Sequence, residues 1–172
     1  MMIPTRTTVR TTTETTTDVK TSSALQAHLI LASRFENIEV AERALLDLCA
    51  QAGCGGEDEY WLVTALREAL ANAIRHGNKQ DPSRKIRIDL GIEDRVVRIR
   101  VEDEGQGFDP SAIPDPTEPQ NLLRPSGRGI FYMRQFMNRV DFDRASHGGT
   151  AVTMVRELEP KTRSAEDEKS SS

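Results

Sequence analysis

The apolar positions of this chain follow two periods, and the switches between them mark the elements. From Leu25 to Ala32, Leu25, Ala27, Leu29 and Leu31 alternate with Gln26, His28 and Ile30, which predicts a strand with one buried face. His28 there reads as a surface or packing residue. Ser33, with Glu36 three residues on, has the pattern of a capping box. Ile38, Ala41, Leu45, Leu48 and Cys49 then recur at helical spacing, so a helix is expected over 37–52, ended by Gly53, Gly55 and Gly56. A second helix is expected over 57–76, with Leu62, Ala65, Leu66, Ala69, Leu70 and Ala73 as its buried stripe and Gly77 as its stop. Asp81-Pro82 marks a turn within 78–83. Alternation returns at Ile86, Ile88, Leu90 and Ile92 and at Val97, Ile99 and Val101, predicting a hairpin that turns at Glu93-Asp94.

Pro110, Pro114, Pro116, Pro119 and Pro125 then exclude a helix or central strand. A connection of that length inside a compact domain is uncommon and marks a functional lid or a disordered insert. After it, Gly127-Arg128-Gly129 opens an amphipathic helix with Ile130, Met133, Phe136 and Met137 inward. Strands over 139–145 and 150–158, joined through His147-Gly148-Gly149, complete the pattern.

Composition sets the limits of the domain. Residues 1–23 are dominated by threonine and carry almost nothing apolar after Ile3, so they are expected to form a disordered leader. Residues 160–172 are expected to form a loose tail. The folded domain is therefore placed at 24–159, about 130 residues, enough to bury a real interior. The formal charge is 23 − 27 = −4, which offers no basic field for nucleic acid. Basic residues at 84, 85, 87, 95, 98 and 100 fall on the polar side of the hairpin without interleaved aromatics, as a solvated face would. The two cysteines, Cys49 and Cys54, make neither a disulfide framework nor a zinc set and read as free thiols. With no apolar run of membrane length and no hydrophobic signal core, a cytoplasmic protein is expected.

Four short patterns carry candidate chemistry. Glu68 and Asn72 are one helical turn apart and share a face, so a carboxylate and an amide oxygen can point the same way. The carboxylate suits proton transfer; the amide oxygen is a hard neutral ligand that Mg²⁺ accepts. A solvated surface pair is the bland alternative. Asp103-x-Gly105-x-Gly107 closes a strand, where a carboxylate can accept a hydrogen bond from an exocyclic amine and the glycines let backbone approach a flat ring. It is equally an acidic turn, and it lacks the closing glutamate of a calcium loop. Gly127-Arg128-Gly129 at a helix start, with Arg124 before it, suits phosphate. It has neither the third glycine of a dinucleotide fingerprint nor the Lys-Ser/Thr of a Walker loop. His147-Gly148-Gly149-Thr150 precedes the last strand and could be only a hairpin turn.

Taken in order, these patterns resemble the GHKL (histidine kinase-like) ATPase superfamily. Within it the chain is similar to the anti-sigma factor serine/threonine protein kinases of bacterial partner-switching systems, over about residues 25–158. The resemblance implies an α+β Bergerat fold, a two-layer α/β sandwich with a mixed sheet and helices on one face. It implies ATP and Mg²⁺ as cofactors, with Glu68 as general base or water-orienting carboxylate and Asn72 as the magnesium ligand. Asp103 would bind the adenine amine, with Gly105 and Gly107 beside the ring. Arg124, Gly127, Arg128 and Gly129 would line the phosphates, and Thr150 would lie near the adenine. The implied partners are an anti-anti-sigma (STAS-type) protein, a sigma factor and a second copy as homodimer, with no nucleic acid or membrane. The alternative is a non-catalytic ATP-binding module that regulates another signalling protein.

Overall fold

The computed structural model describes residues 24–107 and 128–159. The leader, the proline-rich segment with Arg124 and Gly127, and the tail lie outside the described residues, as does the Arg128 side chain. In chain order the elements are β1 (Leu25–Ala32), α1 (Ile38–Ala52), α2 (Glu57–Asn72), β2 (Lys85–Glu93), β3 (Val96–Glu102), α3 (Arg128–Phe136), β4 (Arg139–Arg144) and β5 (Thr150–Glu157). The strands form one sheet in the order β1-β2-β3-β5-β4. Alternation decides which face is covered. Leu29, Ile88, Val101 and Val152 stand side by side across four strands and join Leu45, Leu66, Leu70 and Met133 of the helices in one apolar core. The opposite face carries ion pairs between His28 and Asp89, Arg87 and Glu104, and Arg100 and Glu102. Of the basic residues expected on a solvated face, Arg95 and Arg98 are exposed, while Arg84, Lys85, Arg87 and Arg100 are half-buried. The result is the α+β two-layer sandwich.

One feature of the sheet differs from expectation. Every strand pairing is antiparallel, not mixed. The β3–α3–β4 crossover does leave β3 and β4 pointing the same way, but β5 returns by a hairpin and lies between them. No parallel pair of neighbours therefore remains among the described strands.

Other differences are local. The β2–β3 turn falls at Asp94-Arg95, both at positive φ (46° and 65°), one residue later than expected. That register pairs Ile92 with Val97 and keeps both on the buried face; the earlier turn would put Arg95 opposite Ile92. No capping box forms at Ser33, whose hydroxyl is buried without a partner. A 3₁₀ turn, Phe35–Asn37, leads into α1 instead, and the Asn37 amide donates to the Ala32 carbonyl at 2.8 Å. Helix α1 ends as expected at Gly53, which adopts the left-handed conformation at φ 68° while the Cys54 N–H reaches back to the Cys49 carbonyl at 2.8 Å. Both cysteines are free thiols; burial pushes the Cys49 thiol up to about 12, so it stays protonated.

Helix α2 is held at both ends. Near its start, Asp58 pairs with Arg156 of β5 at 2.7 Å, and the Trp61 ring stacks on Phe136 of α3 at 3.5 Å. Trp61 has no obvious place in the helical stripe, so its role in docking α3 is visible only in the fold. At its far end the α-helix stops at Asn72, earlier than the expected His76, and Ala73–Gly77 form one π-helical turn closed by Asn78 N–H to Ala73 O at 2.7 Å.

Candidate functional site

Single π turns are frequent at functional sites, and this one, at the end of α2, re-aims the backbone beyond it. Here the turn separates two groups of residues. Glu68 and Asn72 lie on the α-helical side, one turn apart and half-buried. Gly129, in the first turn of α3, packs directly on them. A Cβ at Gly129 would sit 2.5 Å from Glu68 Oε2 and 3.5 Å from Asn72 Nδ2, so a side chain here would have to push the Glu68 carboxylate aside. Side chains on α2 and the N-terminal backbone of α3 thus share one wall.

The second group surrounds Asp103, which is 5% exposed. Its Oδ1 accepts the Gly105 N–H at 2.8 Å and the Thr150 N–H at 3.1 Å, while its own N–H donates to the Thr150 carbonyl at 3.0 Å. Burial pushes the Asp103 carboxyl above the usual carboxylate range, and the Gly105 and Thr150 N–H groups pull it back. Both oxygens are thereby oriented before any ligand arrives. Glycines close the site from three sides. A Cβ at Gly77 would lie 2.7 Å from Asp103 Oδ1, one at Gly149 2.5 Å from the same atom, and one at Gly105 2.8 Å from it. Gly107 adopts φ 75° and runs along the Gly148 and Gly149 carbonyls.

Gly77 links the two groups. It follows Asn72 by five residues, roughly 7 Å along a helical axis, and touches Asp103. The end of α2 therefore borders both groups, Glu68, Asn72 and Gly129 before the π turn and Asp103 with Gly105, Gly107 and Thr150 beyond it. Arg124 and Gly127 lie outside the described residues, and Arg128 contributes backbone at the start of α3. His76 is exposed and His147 stands on the exposed loop before β5. Among the described residues no group of three or more His, Cys, Asp and Glu converges on a metal position. The Asn72 amide stands near the α3 N-terminus and carries one neutral oxygen, a donor that would suit Mg²⁺ of the kind that keeps several waters and shares substrate phosphates. The glycine-lined Asp103 carboxylate fits the amine edge of a flat heterocycle. Sequence reasoning gives Gly77 only as a helix stop and Asn78 only as part of the following turn; an asparagine directly after a helix-stopping glycine was the available signal.

The sequence pattern of the histidine kinase-like ATPase domain matches residues 31–156. The anti-sigma F factor of Geobacillus kaustophilus is 31% identical over 137 residues, covering 77% of this chain and 92% of the relative. That of Geobacillus stearothermophilus is 32% identical over 135 residues, covering 76% and 91%. The Bacillus subtilis anti-sigma F factor is 29% identical over 137 residues, covering 77% and 92%. In three dimensions the fold is similar to the crystal structure of the RsbU and RsbW domains of a Mycobacterium tuberculosis protein. The TM-score is 0.59 at 20% identity, over 80% of this chain and 34% of that one. No helix among the described residues is long and apolar enough to cross a membrane.

Proposed function

The chain belongs to the histidine kinase-like ATPase family, in its anti-sigma factor branch, and on that premise we propose that it is an ATP-dependent protein serine/threonine kinase. Its substrate on this reading is a small STAS-type anti-anti-sigma protein, and its second partner is a sigma factor. The observation that carries the proposal is the shared wall at the end of α2, where Glu68, Asn72 and Gly129 stand on one side of Gly77 and Asp103 on the other.

Each side chain then has a task its position suits. Asp103 accepts the adenine amine, and Gly105, Gly107 and Thr150 shape the pocket for the ring. The Asn72 amide oxygen takes one magnesium position. The α3 N-terminus at Gly129 meets phosphate, with Arg124, Gly127 and Arg128 assigned to the same task from the family resemblance. When bound, ATP would supply the phosphoryl group, and magnesium held with it would neutralise part of the phosphate charge. Glu68 orients the acceptor hydroxyl and takes its proton as the phosphoryl group is transferred. Phosphoryl transfer needs positioning and charge stabilisation more than covalent help from protein, so a site this sparse is sufficient.

In the cell, on this reading, the unphosphorylated antagonist displaces the sigma factor and phosphorylation releases the antagonist. The protein acts as a cytoplasmic homodimer without contacting nucleic acid or membrane. The test is incubation with γ-labelled ATP, magnesium and small STAS-type proteins from the same genome. Label is expected on a serine or threonine of one of them. ATP binding without label on any would point to the non-catalytic module.

A further inference from the structure

Asn78 is fully buried, with 0% of its surface exposed, yet its side chain hydrogen-bonds to none of the groups assigned above to nucleotide. Its amide spans two chain segments. Oδ1 accepts the Glu104 N–H at 2.8 Å, and Nδ2 donates to the Lys85 carbonyl at 3.0 Å. Glu104 completes the ring: its Oε2 accepts the Lys85 N–H at 2.9 Å and its Oε1 takes Arg87 at 2.8 Å. One side chain at the end of the α2 π turn thus fixes both the start of β2 and the residue that follows Asp103. The amide orientation is determined, because a flipped amide would set oxygen against the Lys85 carbonyl and N–H against the Glu104 N–H.

The backbone around Asn78 is strained. Lys79 and Gln80 both take positive φ, 54° and 59°, a conformation disfavoured for side chains of this size. Such strain persists only where the surroundings over-determine it, and it gathers at functional positions. The Gln80 N–H to Ile74 carbonyl bond, at 2.8 Å, and the Asn78 amide hold it here.

From this geometry we infer that Asn78 is a positioning residue for nucleotide selection, acting through Glu104 to hold Asp103 at the height that distinguishes an exocyclic amine from a carbonyl. The inference rests on the nucleotide reading above. Asn78 does not contact the base. It sets where the Asp103 carboxylate stands relative to Gly77, and a shift there removes the match to the adenine edge while leaving the phosphate side intact.

The experiment compares magnesium-ATP and magnesium-GTP affinities for wild type, Asn78→Ala and Asn78→Asp by calorimetry, well below the melting temperature of each protein. Asn78→Ala is expected to weaken ATP by about 10-fold or more, with little change for GTP, so the ATP/GTP ratio falls by the same factor. Loss of stability alone would not move that ratio. Asn78→Asp keeps the acceptor for Glu104. When protonated it also restores a donor to the Lys85 carbonyl. Its ratio, taken against wild type at the same pH, should recover at about pH 5 and fall at about pH 8. If Asn78→Ala does not fold, this pH contrast decides. A wild type that selects ATP while both variants keep its ratio at both pH values overturns the inference and leaves the nucleotide site standing. A wild type that binds neither nucleotide removes both.

Discussion

Replacing Gly105 by alanine is expected to abolish nucleotide binding, with a loss of affinity of at least about 100-fold, and to lower the melting temperature by several degrees. The cause is space. A Cβ at this position would lie 2.7 Å from the Gly77 carbonyl carbon and 2.8 Å from Asp103 Oδ1. Real Cβ atoms do not come this close, and here one neighbour is backbone and the other a carboxylate already fixed by two N–H groups. Either the π turn or the loop after β3 must move. Both carry the site, so neither movement is harmless. Forcing one extra carbon into a packed position costs roughly 1–3 kcal/mol, a large part of a typical domain's stability. Gly55→Ala is the control. Its Cβ would meet nothing within 4 Å among the described residues, and it is expected to change stability by no more than about 0.5 kcal/mol. Thermal melting and ATP titration of the two variants together read out the difference. Equal behaviour of the two would mean that Gly77, Gly105 and Asp103 are not packed as described.

The second large effect is on chemistry. Glu68→Ala is expected to bind ATP within a few-fold of wild type while losing about 10²–10⁴ in the rate of phosphotransfer, the range typical of a lost general base. Binding should survive because Glu68 meets the α3 backbone at Gly129, where truncation makes room and creates no clash. It is separated from Asp103 by the whole π turn, so the adenine side is untouched. Single-turnover transfer from labelled ATP to the protein acceptor measures the rate apart from binding. Glu68→Gln keeps shape and removes basicity, so it should be as slow as Glu68→Ala if the proton is the point. A Glu68→Gln variant as fast as wild type would leave Glu68 with orientation of the hydroxyl alone, and full transfer by Glu68→Ala would take it out of the mechanism.

Much of the fold could be read from period alone, because burial on one face writes itself into the sequence. The alternation at 25–32, 86–92 and 97–101 marks three strands, and each lies where expected. The stripe from Leu62 to Ala73 marks α2. Sheet order could not be read in the same way. The position of β5 between β3 and β4 depends on long-range pairing, and alternation in a strand says nothing about its neighbours. The β2–β3 turn was misplaced by one residue because Asp94-Arg95 is a poor left-handed pair by composition; the buried register of Ile92 and Val97 overrides that local preference.

The site was legible as spacing and not as packing. Glu68 and Asn72 follow from one helical turn. The need for glycine at 77 and 149 follows only from how near the Asp103 carboxylate comes to them. The π turn leaves no trace in periodicity, since it inserts one residue at the very end of a helix. Asn78 looked like a loop asparagine because its two partners, Lys85 and Glu104, are distant in sequence.

The most direct measurement is calorimetric titration of the full chain with ATP, in the presence and absence of magnesium. A single site with a measurable heat is expected, weakened when magnesium is chelated or when Asn72 is replaced by alanine, and lost in Asp103→Ala. No heat at millimolar ATP with magnesium, from a protein that melts cooperatively, would contradict it.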